Sequence, residues 1–169
     1  FRAQPRRCWD MIFEMLDLTT RAEPNAGHVA MAELESMGYL KAVITQNVDC
    51  LHQRGGSRRV IEYHGSAANL ECLGCRSRYD INEYNTAAHE LPLCKNCGAV
   101  LKPSIIFFGE MIPVEALMDS RDLAEQADVV IVAGTSAVVY PAAAIPHEAK
   151  QHGATVIEVN LESTAFSGS

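Results

Sequence analysis

Apolar positions recur along this chain with two different periods, and the switch between them lays out its elements. In "PRRCWDMIFEML" Trp9, Ile12, Phe13 and Leu16 fall on one face at helical spacing. In "EPNAGHVAMAELESMGYL" Pro24 stands near a helix start, Ala30, Leu34 and Met37 form a stripe, and Gly38 is the stop. Short apolar runs at 42–45 and 60–63 then read as strands, and the segment 67–101 is more polar and reads as an insertion. "SIIFFGE" is a brief apolar run with a turn. "ADVVIVAGTS" is continuously apolar, as a parallel strand buried on both faces should be. "YPAAAIPHEAKQHG" predicts a helix kinked at Pro146, and "ATVIEVN" returns as a strand. Strand, helix and strand make a β-α-β unit, whose ligand crevice lies at the carboxyl ends of its strands. The expected fold is α/β: a Rossmann-like parallel sheet in two portions, 1–66 with a helical part and 102–169, interrupted by a small metal-binding module at 67–101.

Composition agrees with one globular domain carrying a small module: 169 residues, 48% apolar and 21% charged. No apolar run approaches the roughly 18 residues of a membrane span, and no secretory signal opens the chain, so a cytoplasmic protein without a membrane partner is expected. Fourteen basic residues against 21 acidic ones give a formal charge of −7. That charge argues against direct nucleic-acid binding, which needs a basic footprint. It suits a cationic, lysine-rich partner better.

Four of the six cysteines are spaced as C-x2-C-x18-C-x2-C: Cys72, Cys75, Cys94 and Cys97. Each C-x-x-C can supply two thiolates from one tight turn, the pattern of a closed, structural zinc site. Two disulfides or four unrelated buried thiols are the bland alternatives, and iron in the same thiolate cage is another, because spacing alone does not select the metal. All four ligand positions are filled by sulfur, leaving none for a reacting water.

The chemistry gathers where strands become loops. "TQNVDCLHQRGG" follows the first strand with Gln46, Asn47, Asp49, Cys50 and His52, and His64 ends the second strand in "VIEYHGS". Gly134, Thr135 and Ser136 occupy the corresponding edge of the next core strand, and Asn160 that of the one after. Polar loops are commonplace. That alone does not account for amide, acid, histidine and glycine recurring at one rim.

In order along nearly the whole chain, "VITQNVDCLHQRGG", "VIEYHGS", the two C-x-x-C pairs, "PSIIFFGE", "GTSAVVYP" and "IEVN" resemble the successive signatures of the sirtuins, NAD-dependent protein lysine deacylases, in wording closest to the bacterial type. The resemblance implies NAD as co-substrate, structural zinc, and an acyl-lysine protein or peptide as partner. By it, Gln46, Asn47 and Asp49 line the nicotinamide and ribose pocket, with Val48 as its apolar floor. Gly134, Thr135, Ser136 and Asn160 hold the ribose and adenine side. Ile106 and Phe108 wall the acyl-lysine tunnel, while Gly109, Glu110, Val138, Val139 and Tyr140 flank a peptide that adds as a strand. His64 matches the catalytic histidine and Asn47 assists it. Departure of nicotinamide creates an oxocarbenium-like centre that the weakly nucleophilic amide oxygen captures, so positioning contributes much of the acceleration. A ribose hydroxyl must then lose a proton, and histidine is the residue type suited to that task near neutral pH. His52, inside "CLHQ", reads instead as a structural histidine.

The sirtuin pattern also opens with a glycine-rich "GAG" turn, a "GIPxFR" segment and a mobile cofactor loop, none of which is found in this chain, and it continues into a further strand. Phe1, Pro5 and Trp9 fit the later run of Phe, Pro and Trp that leads into a helix. In a sheet of order 3-2-1-4-5-6 the strand bearing the glycine turn is central. Without it, strands 42–45 and 129–133 are expected to stand unpaired with each other, about 9–10 Å apart. The expectation is therefore a piece of a longer polypeptide, or a slot filled by another chain. ADP-ribosyl transfer from the same pocket, and a non-catalytic zinc-containing binding module, remain alternative readings.

Overall fold

The computed structural model describes residues 1–164; the remainder of the third expected segment, 165–169, lies outside the described residues. Two compact units divide the chain, Phe1–Ile112 and a second beginning at Pro113.

The first unit opens with α1 (Pro5–Arg21), a helix with proline at its first position, where a missing N–H costs nothing. Trp9, Ile12 and Phe13 are fully buried and pack against Leu70, Cys72, Cys94 and Leu101. The helix therefore closes the core of the cysteine-bearing module, and Trp9 Nε1 donates to the Leu101 carbonyl at 2.8 Å. Helix α2 (Ala26–Ser36) is capped by Asn25, whose side chain accepts from the Gly27 and His28 N–H groups. The stripe expected on it is not covered: no residue of α2 is buried, Ala30 is exposed and Met37 is 65% exposed. The element that packs on it most is the one-turn helix α3 (Leu51–Arg54), too short to cover a helical face. Glu35 at its far end accepts the Arg58 and Arg59 N–H groups at 2.7 and 2.8 Å. Those two backbone bonds hold its carboxyl below the ordinary range.

Strands β1 (Val43–Thr45) and β2 (Val60–Glu62) pair in parallel, Val43 opposite Val60 and Thr45 opposite Glu62. The module that follows is an antiparallel sheet of order β4-β3-β5, from β3 (Asn69–Cys72), β4 (Arg78–Asp80) and β5 (Leu101–Pro103), with 3-10 turns at Ile81–Glu83 and Thr86–Ala88. Its last strand thus runs into Pro103.

The second unit holds α4 (Val114–Gln126), β6 (Val129–Ala133), α5 (Ala144–Gln151) and β7 (Thr155–Val159), with β6 and β7 parallel in register Val129 to Thr155. The parallel strands therefore form two separate two-stranded sheets, one per unit. Ala124, Ala149 and Ala154 pack with Val130 and Ile145, small side chains that let helices and sheet approach closely. Helix α4 adds to the expected elements, and its apolar residues Val114, Leu117 and Met118, though at helical spacing, face outward. Two further expectations are corrected. Strand β6 is not buried on both faces: Val130 and Val132 pack inward with Val156, while Val129 is 51% and, on β7, Val159 is 58% exposed. Pro146 does not kink a helix; it is the third residue of α5, in the first turn, where its ring meets no preceding carbonyl.

Candidate functional site

In the first unit the rim is built by parallel pairing. Because β1 and β2 run together, their carboxyl ends release residues 46–49 and 63–65 side by side. The ladder extends one step as Tyr63 N–H donates to the Thr45 carbonyl at 2.9 Å. At the next step the His64 ring turns toward β1, its Nδ1 lying 3.3 Å from the Gln46 carbonyl oxygen. A carbonyl can only accept, so this bond requires hydrogen on Nδ1 and leaves the lone pair on Nε2. That is the tautomer a proton acceptor needs. The His64 carbonyl in turn accepts Ile106 N–H at 2.9 Å. Gln46, His64 and Ile106 are thus joined directly.

The loop before this histidine is internally braced. Asn47 N–H donates to Thr45 Oγ1 at 3.1 Å, Leu51 N–H to Asp49 Oδ1 at 2.9 Å, and Ala67 N–H to the Val48 carbonyl at 3.4 Å. Cys50 adopts a left-handed conformation between them, with its thiol near Glu62 and Ser66. Burial chiefly, with the Glu62 carboxylate, raises the Cys50 pKa, so the thiol form prevails. His52 stands apart from the rim, its ring 4.7 Å from that of His28. Its Nδ1 is buried without a hydrogen-bond partner among the described residues, and burial lowers its pKa.

Gly65 shows why glycine follows the histidine. It sits at φ +74°, and a Cβ there would lie 1.9 Å from the Ser104 carbonyl oxygen and 2.8 Å from the Ser104 carbonyl carbon. Two backbones cross with no room for a methyl group. Gly65→Ala is expected to cost about 3–5 kcal/mol in urea unfolding, from the crossing and the left-handed strain together. Gly134 is also left-handed, at φ +62°, but meets nothing within 4 Å. Gly134→Ala should cost only the conformational part, about 1–2 kcal/mol. Equal losses at both sites would show that the Ser104 crossing gives way.

Of the other residues expected near the acyl group, Phe108 projects into solvent at 99% exposure, and Gly109 turns the chain at φ +85°. Glu110 Oε2 accepts Phe107 N–H at 3.0 Å and pairs with Lys102 at 2.9 Å. Burial opposes ionisation there, but the Phe107 N–H and Lys102 outweigh it and hold the carboxyl below its usual range.

The second unit has a rim of its own. Gly134 N–H donates to the Val159 carbonyl at 3.1 Å and Thr135 N–H to Asn160 Oδ1 at 2.9 Å. Asn160 Nδ2 donates to Glu158 Oε1 at 2.9 Å, and Ala137 N–H to Thr135 Oγ1 at 3.1 Å. Asn160 therefore fixes the turn after β6 with one end of its amide and is oriented through the other. Ser136, Val138, Val139 and Tyr140 lie exposed beyond that turn.

The four cysteine sulfurs of Cys72, Cys75, Cys94 and Cys97 all lie within 4.8 Å of one another. Cys72–Cys97 at 3.4 Å and Cys75–Cys94 at 3.5 Å are far too long for disulfides and suit the edges of a tetrahedron around one ion. Gly74 and Cys75 N–H groups donate to Cys72 Sγ, both at 3.3 Å, as thiolate turns require. The set fits zinc held structurally. Sequence reasoning missed its outer supports: Ser77 Oγ lies 3.1 Å from Cys75 Sγ, and the Tyr79 hydroxyl 3.2 Å from Cys94 Sγ. The bond to Cys94, with burial adding to it, pushes the Tyr79 pKa up to about 12. The only signal in the sequence was a tyrosine alternating with polar residues just past the first C-x-x-C. Tyr79→Phe should weaken zinc binding by about tenfold or more, read by competition with a chromogenic chelator. Unchanged affinity would remove Tyr79 from the metal's support.

Among the described residues no helix is long and apolar enough to cross a membrane. The Sir2 family model matches residues 1–141. The NAD-dependent protein deacylase of Thermococcus kodakarensis is 46% identical, over 98% of this chain and 66% of that protein. That of Pyrococcus furiosus is 44% identical, over 98% of this chain and 68% of that protein. This chain thus spans about two thirds of the length of such relatives. Among solved structures, a complex of Sir2, p53 peptide and NAD+ superposes with a TM-score of 0.92 at 39% identity, covering 98% of this chain and 70% of that one.

Proposed function

The chain belongs to the Sir2 family, and from that premise we propose that the protein is an NAD-dependent protein lysine deacylase. The observation that carries this reading is His64, set at a strand's end with Nδ1 on the Gln46 carbonyl and its own carbonyl on Ile106 N–H. The relatives' description as deacylases and the peptide–NAD+ complex of a structural neighbour support it. NAD supplies the electrophilic ribose carbon, and the products are nicotinamide, O-acyl-ADP-ribose and free lysine.

His64 Nε2 takes the proton from a ribose hydroxyl, a role open to it because Nδ1 is occupied. Asn47, exposed and tied to Thr45 through its backbone alone in the bonds described above, orients the ribose or a water without titrating. Gln46, Val48 and Asp49 line the nicotinamide side. Gly134, Thr135, Ser136 and Asn160 serve the cofactor from the second unit, and Ile106, Phe108, Gly109, Glu110 and Val138 to Tyr140 serve the acyl-lysine peptide. Zinc at the four cysteines holds its module folded and takes no part in the reaction. The division into 1–66, 67–101 and 102–169 is retained as the functional organisation, and the cytoplasm, where four thiols stay reduced for metal, as the location.

Mass spectrometry of an acetyl-lysine peptide incubated with NAD and the protein tests the proposal. Deacetylated peptide and nicotinamide in equal amounts are expected. A protein mass gain of ADP-ribose would point to ADP-ribosyl transfer, and neither product to a non-catalytic binding module.

A further inference from the structure

Lys102 is the middle residue of β5, in a stretch, "AVLKPSII", that is otherwise apolar or small. Its side chain is only 14% exposed. Nζ has three hydrogens and finds three oxygens: the Ile105 carbonyl at 2.7 Å, Glu110 Oε2 at 2.9 Å and the Pro103 carbonyl at 3.3 Å. It also lies 4.8 Å from the centre of the Phe107 ring. The segment from Ile105 to Glu110 has no regular secondary structure. Its ends are closed on each other by Phe107 N–H to Glu110 Oε2 and Glu110 N–H to the Phe107 carbonyl at 2.9 Å.

We infer that Lys102 is a positioning residue for the acyl-lysine wall: its ammonium pins both ends of residues 105–110, and through Ile106 fixes that wall against the His64 backbone. Glu110 is then engaged inward, as the counter-charge of this pin, rather than offered to a bound peptide. The inference rests on the proposed deacylase reading for the word wall, and on geometry alone for the pin.

The pin acts locally. The β3–β5 ladder uses the backbone of Lys102, opposite Glu71, and makes no demand on its ammonium. Phe107 packs at the edge of the α1 core and 6.0 Å from the Phe1 ring between centroids, while Phe108 and Met111, at 99% and 83% exposure, add no apolar anchorage beyond it. Loss of charged hydrogen bonds of this kind should therefore free the loop without dismantling the sheet.

The test compares wild type with Lys102→Met, Lys102→Arg and Glu110→Gln. Amide exchange should quicken about tenfold at Ile106, Phe107 and Glu110 in Lys102→Met and Glu110→Gln, with β3 and β5 unchanged, and return toward wild type in Lys102→Arg. Steady-state kinetics should show KM for an acetyl-lysine peptide rising about tenfold in Lys102→Met, with kcat within about twofold. Unaltered exchange in both charge-removing variants overturns the pin. Faster exchange spread equally through β3 and β5 also overturns it, leaving Lys102 as general support for the fold. An accelerated loop with unchanged peptide KM overturns the positioning role. Absence of deacylation by wild type sinks the functional reading instead, and the exchange comparison still decides the pin.

Discussion

His64→Ala is expected to lower NAD-dependent deacylation by roughly 10²–10⁴-fold, the loss of a positioned general base. The fold should survive. The ring makes one long hydrogen bond, 3.3 Å to the Gln46 carbonyl, and an edge contact with Tyr63 at 5.6 Å between ring centres. Removing a bond of that kind costs about 1 kcal/mol, within the margin of a stable domain. Zinc content should not change, because His64 touches none of the four cysteines among its hydrogen bonds. The control is His52→Ala, which removes a ring packed on His28, away from the rim. An active His64→Ala beside an inactive but folded His52→Ala would transfer the base to the other histidine.

Removal of zinc should have the larger effect on structure. Structural zinc sites in small peptides contribute about 10–16 kcal/mol of apparent folding free energy. Here the metal-bearing strands share a core with α1: Cys72 and Cys94 pack beside Trp9, Ile12 and Phe13. Four sulfurs 3.4 Å and more apart repel one another as thiolates once the cation leaves. Chelation is therefore expected to unfold 67–101 and to release α1 with it. Trp9 is the only tryptophan, and it is fully buried, so its emission reports the event. A red shift that follows zinc release, reversed by added zinc, is the expected result. Activity should fall with it, since residues 105–110 lean on Lys102 of β5. Tryptophan that stays buried, with slow amide exchange across 67–101 after complete metal removal, would end the structural role of the metal.

The cysteine tetrad was legible because a tight turn fixes which sulfurs one C-x-x-C can present, and two such pairs leave few arrangements. That polar residues gather where strands end was legible for a related reason, since parallel strands must end on the same edge; the expectation of one rim did not divide them between the two sheets, β1-β2 and β6-β7. Less could be read where packing partners decide. The face of α1 announced that it would be buried but not against what, and the answer is a strand 92 residues along the chain, from Trp9 to Leu101. The stripe on α2 and the second face of β6 look buried in the sequence, yet helices and sheet in each unit cover only part of them. The local pattern around Tyr79 and Lys102 names neither one's partners. A hydroxyl on a sulfur and an ammonium on three oxygens arise only when the chain has closed.

The hydrogen bond from Trp9 to Leu101 spans 92 residues, and the ribosome delivers its two ends in sequence. At about 5–20 residues per second, α1 leaves the exit tunnel on the order of 5–20 s before β5 exists to receive it. During that interval Trp9, Ile12 and Phe13 lack the part of their native core that Cys94 and Leu101 supply, and the helix is a hydrophobic ligand in search of a surface. Docking cannot be completed before the second cysteine pair, Cys94 and Cys97, has been translated, so metal capture and the close of helix docking fall together near the end of synthesis of this unit. A nascent chain stalled before residue 94 should therefore be held by chaperones that recognise apolar helices, and one stalled well past Pro103 with zinc present should be released.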